Sequence, residues 1–310
     1  MVPGGSGDGS CAILAGGRPV RIRGGVASQP GFGKERDRMT VPAATAERLA
    51  KISSYVIDMD GVLYRGNSIL PHVRDFIAAL EARPVPYVMC TNNSMRTPQE
   101  YTERLAGMGL TVPAERVVTS GVATRSWLDA HYPAGTRIYV IGAEALFDVV
   151  FGDGRYQRAG TDAEVVVTGA DFELTFEKMR IATLAIRAGA AWVATNPDTT
   201  FPTEEGLIPG AGALVAAIAA ATSIKPTIIG KPEPGMLLES AHILGTPVDA
   251  TAMLGDRLDT DILAGKAAGF ITVLVLTGVT SASDLARSSI HPDITFPDLA
   301  PLVEYYGNRD

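Results

Sequence analysis

Ser54-Tyr55-Val56-Ile57-Asp58-Met59-Asp60-Gly61-Val62-Leu63-Tyr64 decides the fold. Tyr55 to Ile57 is a short apolar run with no polar alternation. A strand of that kind is expected in a sheet covered on both faces, and such sheets are parallel. The run ends on two aspartates separated by one residue, then a glycine. In open parallel α/β sheets, ligands bind beyond the carboxyl ends of the strands. Asp58 and Asp60 therefore fall where chemistry is expected. Each also has a bland reading, because Asp is a common turn residue. The rest of the chain decides between the two.

Working outward, Val85 to Met89 predicts a second strand, followed by Thr91-Asn92-Asn93-Ser94. Thr97-Pro98-Gln99-Glu100 predicts a helix opening with a capping box, and Gly109 stops that helix. Arg116 to Thr119 predicts a third strand. Late in the chain, Thr227 to Ile229 predicts a core strand running into Gly230-Lys231-Pro232. Thr251 to Leu254 predicts another, running into Gly255-Asp256-Arg257-Leu258-Asp259-Thr260-Asp261, and Ile271 to Leu276 a further one. Helical spacing marks Pro71 to Ala82, Pro234 to Leu244 and Leu258 to Ala268. Strands alternating with helices predict an α/β fold with a Rossmann-like parallel sheet core. The middle of the chain has its own pattern, with strands expected at Ile138 to Ile141, Glu164 to Val167 and Ala191 to Ala194, and a helix at Thr175 to Ala188. It reads as an α/β cap domain, 134–225, inserted into a core made of 41–133 and 226–310.

Four expected strand ends thus bring Asp58, Asp60, Thr91, Lys231, Asp256 and Asp261 toward one place. Several carboxylates close together repel one another unless a cation intervenes. Mg2+ takes hard oxygen ligands and keeps places for waters and phosphate oxygens. Asp58 and Asp256 can supply two carboxylates, and Asp60 a backbone carbonyl. A carboxylate is a competent nucleophile toward a phosphoryl group. A second carboxyl two residues away can protonate the leaving oxygen. Thr91 and Lys231 can donate to the transferring phosphoryl oxygens.

These residues resemble the four motifs of the haloacid dehalogenase (HAD) superfamily, over most of Tyr55 to Val279. Asp58-Met59-Asp60-Gly61-Val62-Leu63-Tyr64 is similar to the first motif, Thr91 to the second, Lys231 to the third, and Asp256 with Asp261 to the fourth. The resemblance implies Asp58 as nucleophile and Asp60 as general acid, then base. It implies Asp58, Asp60 and Asp256 around Mg2+, with Asp261 holding metal waters or Lys231. Asp259 reads equally well as a helix-start residue with no catalytic part. The dehalogenases of the superfamily lack the second Asp of the first motif, so Asp60 favours phosphate chemistry. The place and size of the insertion resemble class IIA, which is similar to 4-nitrophenylphosphatases, phosphoglycolate phosphatases and pyridoxal phosphatases. Thr195-Asn196-Pro197-Asp198 and Gly230-Lys231-Pro232-Glu233-Pro234 are also similar to that subgroup. Gly61, Asn92, Asn93, Asn196 and Asp198 are then expected to bind phosphate or substrate, with the loop from Asn196 to Ile208 facing the substrate. A cap that closes over a small phosphomonoester, and a homodimer made through that cap, follow from the resemblance. Two rival readings are a phosphotransferase or mutase, and a non-catalytic metabolite-binding module on the same scaffold. The second predicts loss of Asp58, Asp60, Lys231 or Asp256, and all four are present.

Composition narrows the partners. The 310 residues carry a net charge of −7, which disfavours nucleic acid. Residues 1–38 hold six Lys/Arg against three Asp/Glu, so the remainder stands at −10. The most apolar stretch, Ala211 to Ile224, has 14 residues, short of the ~20 a bilayer requires. It reads as a buried Ala-rich helix, and no membrane partner is expected. The two cysteines give no disulfide framework and suit a reducing cytoplasm, with Cys90 expected in the core. The four histidines lack metal-ligand spacing. Trp192 and Phe201 read as packing residues. Gly31-Phe32-Gly33-Lys34 resembles a phosphate loop only superficially, because Glu35 replaces the required hydroxyl residue. Residues 1–40 are expected to be disordered, with Met39 as a candidate translation start that native protein beginning at Met1 would refute.

Overall fold

The computed structural model describes residues 41–203 and 205–307. The expectations for residues 1–40, for a start at Met39, for Cys11 and for Gly31-Phe32-Gly33-Lys34 lie outside the described residues.

Two parallel sheets organise the chain. The first has six strands in the order Ile294–Phe296, Ile271–Val275, Thr251–Gly255, Ser54–Asp58, Tyr87–Thr91 and Val117–Thr119. Ser54–Asp58 lies inside this sheet and is buried along its whole length. The pleat sends successive side chains to opposite faces. Tyr55, Ile57, Met89 and Leu254 join one apolar cluster with Phe76, Leu80 and Tyr306. Val56, Val88, Cys90 and Met253 join another with Met236 and Leu237. Each large apolar side chain buried in this way contributes roughly 1.5–3 kcal/mol. Cys90 is the core thiol expected from its apolar run, and burial pushes it up to about 11.

The second sheet has five strands in the order Thr227–Ile228, Ala191–Ala194, Val165–Thr168, Arg137–Ile141 and Gln157–Arg158, all parallel. One face sends Val140, Val165, Val167 and Val193 into the cluster that holds Val56 and Cys90. The two sheets therefore share apolar packing. The other face packs Ile141, Val166 and Trp192 against Ala182, Ile186, Leu214 and Ile218 of helices Phe176–Arg187 and Ala211–Thr222. Trp192 is a packing residue whose Nε1 donates to Thr168 Oγ1 at 3.0 Å.

Two expectations are corrected here. Thr227–Ile228 is not a strand of the first sheet; it pairs with Val193 and Ala194 at the edge of the second. The preceding helix, Ala211–Thr222, packs on that second sheet, and a short connection delivers the chain to its edge. The loop after Asn196 contains an antiparallel hairpin, Thr200–Thr203 with Gly206–Pro209. Prolines at 202 and 209 hide it in the sequence, although Pro is tolerated where a strand has no second neighbour.

Two early helices follow their signals. Val73–Ala82 buries Val73, Phe76, Ile77 and Leu80. Pro98–Gly107 opens on the expected capping box: Thr97 Oγ1 accepts from the Glu100 amide at 3.2 Å, and Glu100 Oε2 accepts from the Thr97 amide at 2.7 Å. No helix among the described residues is long and apolar enough to cross a membrane.

Candidate active site

The site forms at the carboxyl ends of the first sheet's inner strands. Asp58 is the last residue of its strand and Thr91 the last of the neighbouring one. Asp256 follows Thr251–Gly255 directly. Lys231 arrives from the other side, just beyond the edge strand of the second sheet. Its ammonium donates to Asp58 Oδ1 at 2.5 Å and lies 2.7 Å from Asp261 Oδ1, and it reaches the Cys90 carbonyl at 3.3 Å. Lys231 is 2% exposed, so its four-carbon stem is fully packed. Oxygens of Asp58, Asp256 and Asp261 lie within 4.8 Å of one another.

Asp261 is placed by local backbone. The segment after Arg257 does not begin as the expected α-helix; Leu258–Ile262 is a π-helical turn, and Leu263–Ala268 continues it as α. The turn brings Asp261 Oδ2 back to accept from the Asp256 and Arg257 amides at 3.1 and 3.0 Å. Its other oxygen meets Lys231. Both oxygens are thus engaged, as suits a residue that holds the lysine. Asp259 stands apart, exposed and paired with Arg257 at 2.8 Å, which holds its carboxyl below the ordinary range.

The electrostatics are those of too few cations. Burial, reinforced by Asp261 and Asp256 and opposed by Lys231, raises Asp58 well above the carboxylate range. Burial and Asp261 push Asp256 up to about 7. Burial alone pulls the Lys231 ammonium down, but Asp261 and Asp58 outweigh it and keep Lys231 charged. One ammonium among three buried carboxylates is an incomplete balance.

The chemistry of the donors fits a hard divalent cation. All are carboxylate oxygens. Asp58 Oδ2 and Asp256 Oδ1 have no hydrogen-bond partner among the described residues, whereas Asp256 Oδ2 accepts from the Val279 amide at 2.5 Å. The backbone closes tightly round Asp256: a Cβ at Gly278 would fall 1.8 Å from Asp256 Oδ2, and one at Gly61, where φ is +86°, would fall 2.6 Å from it. Only glycine permits that approach.

Asp60 lies just past the strand. Tyr64, fully buried, donates its hydroxyl to Asp60 Oδ2 at 3.2 Å, and the Arg104 guanidinium sits 4.6 Å from the centre of the Tyr64 ring. Asp60 is exposed to solvent. Its surroundings are nonetheless crowded, and desolvation raises its carboxyl despite Arg104 and Tyr64.

The structure brings together Asp58, Lys231, Asp256 and Asp261, with Thr91 buried on the adjacent strand. Other predicted binding groups have other duties. The Gly61 amide donates to the Tyr64 carbonyl at 2.9 Å and so is not free for phosphate. Both Asn92 amide hydrogens are engaged, by the Lys231 carbonyl at 2.8 Å and by Asp198 Oδ2 at 3.0 Å. Asn196 donates to the Asn92 carbonyl at 2.7 Å and accepts from the Asp198 amide at 3.1 Å. Asn93 closes the loop: its amide donates to Thr91 Oγ1 at 3.2 Å and its side chain accepts from Met95 at 2.8 Å. The Gly61 amide and the Asn92 amide hydrogens thus have partners within the protein. Sequence reasoning missed Tyr64, Gly278 and Val279. The strand-end rule, applied once more after Ile271–Val275, points to the last two.

Comparison with known proteins agrees with this geometry. Residues 55–154 match the family model of haloacid dehalogenase-like hydrolases, and residues 228–302 match a second, HAD-hydrolase-like model. An acid sugar phosphatase of Staphylococcus aureus is 36% identical over 255 residues, covering 82% of this chain and 98% of that protein. The crystal structure of a 4-nitrophenylphosphatase from Thermotoga maritima is 37% identical with a TM-score of 0.79, over 83% of this chain and 98% of that one. A p-nitrophenyl phosphatase from Archaeoglobus fulgidus is 33% identical with a TM-score of 0.77, over 82% and 98%.

Proposed function

The chain belongs to the haloacid dehalogenase-like hydrolases and is a phosphatase, and we propose that it hydrolyses a small phosphomonoester with Mg2+ through an aspartyl-phosphate intermediate. The carrying observation is the buried cluster in which Lys231 bridges Asp58 and Asp261 beside Asp256. Asp58 and Asp256, with the Asp60 backbone carbonyl, would hold the metal, which supplies positive charge against the phosphoryl oxygens.

Asp58 attacks phosphorus, and the acyl-phosphate bond forms as the ester bond breaks. Lys231 and the Thr91 hydroxyl face the charge on the phosphoryl oxygens. Asp60 gives its proton to the leaving oxygen, with Tyr64 fixing the carboxyl by its hydrogen bond to Oδ2. Asp60, now a base, takes a proton from water, which attacks the aspartyl phosphate and releases inorganic phosphate. The second lobe, acting as a cap, would close over the cleft and limit bulk water there. Sugar phosphates and aryl phosphates head the substrate panel, because the similar proteins are named for them. The test is phosphate release from such a panel with Mg2+ and with chelator. Release that is insensitive to chelator refutes the metal, and no release from any member refutes the function.

The proposal includes a homodimer through the second lobe, where Phe172, Phe176 and Leu207 expose apolar side chains. A monomer at all concentrations in sedimentation would remove that part.

A further inference from the structure

Lys231 reaches a site built on the first sheet although its own strand belongs to the second. Thr227–Ile228 is only two residues long. The ladder continues loosely, with Ile229 donating to the Ala194 carbonyl at 3.1 Å and Gly230 to the Thr195 carbonyl at 2.8 Å. Beyond Gly230 no strand guides the backbone, yet the Lys231 ammonium is placed against two carboxylates.

We infer that Asn92 is a positioning residue that sets the Lys231 backbone, and through it the ammonium, relative to the phosphate-handling loop. Asn92 Oδ1 accepts from the Lys231 amide at 2.8 Å, and Asn92 Nδ2 donates to the Lys231 carbonyl at 2.8 Å. One acceptor and one donor on a planar amide are what a neighbouring strand would offer. The side chain takes the place of that strand. The approach is close: a Cβ at Gly230 would fall 2.7 Å from Asn92 Oδ1 and 2.6 Å from the Thr195 carbonyl oxygen. Glycine is therefore required before the lysine.

Asn92 is itself held. Its second amide hydrogen goes to Asp198 Oδ2 at 3.0 Å. Its carbonyl accepts from Asn196 Nδ2 at 2.7 Å and Ser120 Oγ at 2.5 Å. Asn196 and Asp198 follow the strand Ala191–Ala194 of the second sheet, whereas Asn92 follows Tyr87–Thr91 of the first. The clamp thus fixes the distance between Thr91 and Lys231, two phosphate-handling groups that come from different sheets.

The inference rests on the phosphatase reading, and its test keeps the two apart. Steady-state hydrolysis of 4-nitrophenyl phosphate with Mg2+ is measured for the wild type, Asn92→Ala, Lys231→Ala and the double variant. A wild type that does not turn over refutes the reading itself. With an active wild type, Asn92→Ala is expected to lower kcat about 100-fold, the size of effect of an ångström-scale misplacement. The double variant is expected within about threefold of Lys231→Ala, because Asn92 acts through the lysine. Wild-type kcat in Asn92→Ala, or losses that multiply in the double variant, overturns the clamp. If Asn92→Ala does not fold, the isosteric Asn92→Asp decides. It keeps the acceptor for the Lys231 amide, loses both donors and sets an oxygen against the Lys231 carbonyl and Asp198 Oδ2, so kcat should fall by at least about tenfold. Wild-type kcat there, or failure of both variants to fold, also overturns the proposal.

Discussion

Two clusters of charge in this molecule obey opposite rules. On the surface, Arg125 pairs with Asp129 at 2.9 Å and with Asp153 at 2.6 Å, and Arg155 pairs with Asp129 at 3.0 Å. Two cations meet two carboxylates, and Asp153 is 56% exposed. Hydrogen bonds from Arg125 hold the Asp153 carboxyl down at about 2. At the end of the first sheet, one ammonium meets three buried carboxylates, and Asp256 is pushed up to about 7. The surface group is at electrostatic rest and contributes little, as exposed pairs do. Full ionisation of the buried group would leave an unfavourable excess of negative charge, so Asp58 and Asp256 are pushed toward their protonated forms, which is the condition for recruiting a cation and a phosphoryl group. Favourable pairing marks structure here, and unfavourable pairing marks function.

The sharpest way to break that comparison is to neutralise one carboxylate in each place. Asp58→Asn should lower kcat on the order of 10⁴-fold or more, the scale seen when a nucleophile is removed. The metal-free protein should keep or raise its melting temperature, because one of three crowded carboxyls no longer has a buried charge to carry. Asp129→Asn should leave kcat unchanged. Phosphate release and thermal melts read both arms. Wild-type turnover in Asp58→Asn would sink the mechanism, and a large loss of kcat in Asp129→Asn would sink the contrast.

Cation response is the next largest effect. At a hundred times its dissociation constant, Mg2+ should stabilise the protein by about 2.7 kcal/mol. Asp256→Asn should remove most of that shift. Without metal, Asp58 and Asp256, both raised, give the pH dependence the same sign, and Asp256 places the window. Its folded value of about 7 lies above the unfolded 3.8, so the folded state binds the extra proton. Its contribution is complete below pH 4 and is lost as pH rises through 7. Chelated protein should therefore lose stability from pH 4 to 7, and saturating Mg2+ should flatten that slope. Melting curves across the range with and without chelator test it, and a rising slope in chelator would contradict the crowding.

These contrasts were partly legible in the sequence. Asp58, Thr91 and Asp256 each follow a continuous apolar run, and such runs report strands buried on both faces without knowledge of their partners. Thr97 and Glu100 announced their helix because a capping box is local. What failed was non-local. Thr227–Ile228 has no pattern long enough to choose a sheet, and tertiary adjacency chose the second one. The π-helical turn at Leu258–Ile262 looks α-helical in sequence; the extra width arises where Asp261 returns to the Asp256 and Arg257 amides. Asn92 was legible as a site residue, but its partners lie more than a hundred positions away, so its duty was not.

The smallest expected effect sharpens the surface side. Asp153→Asn removes one carboxylate of the balanced network while leaving the buried cluster intact. Turnover and its dependence on Mg2+ should match the wild type. The carboxyl's folded value, about 2, lies below the unfolded 3.8, so the unfolded state binds the extra proton between them. The native pairing therefore contributes fully above pH 4 and fades as pH falls through 2. Wild type should be marginally the more stable protein at neutral pH, and the two melting temperatures should converge toward pH 2. This is the reverse of the slope set by Asp256. A difference that grows on acidification would mean that Asp153 acts through packing rather than charge, and the two clusters would no longer differ in kind.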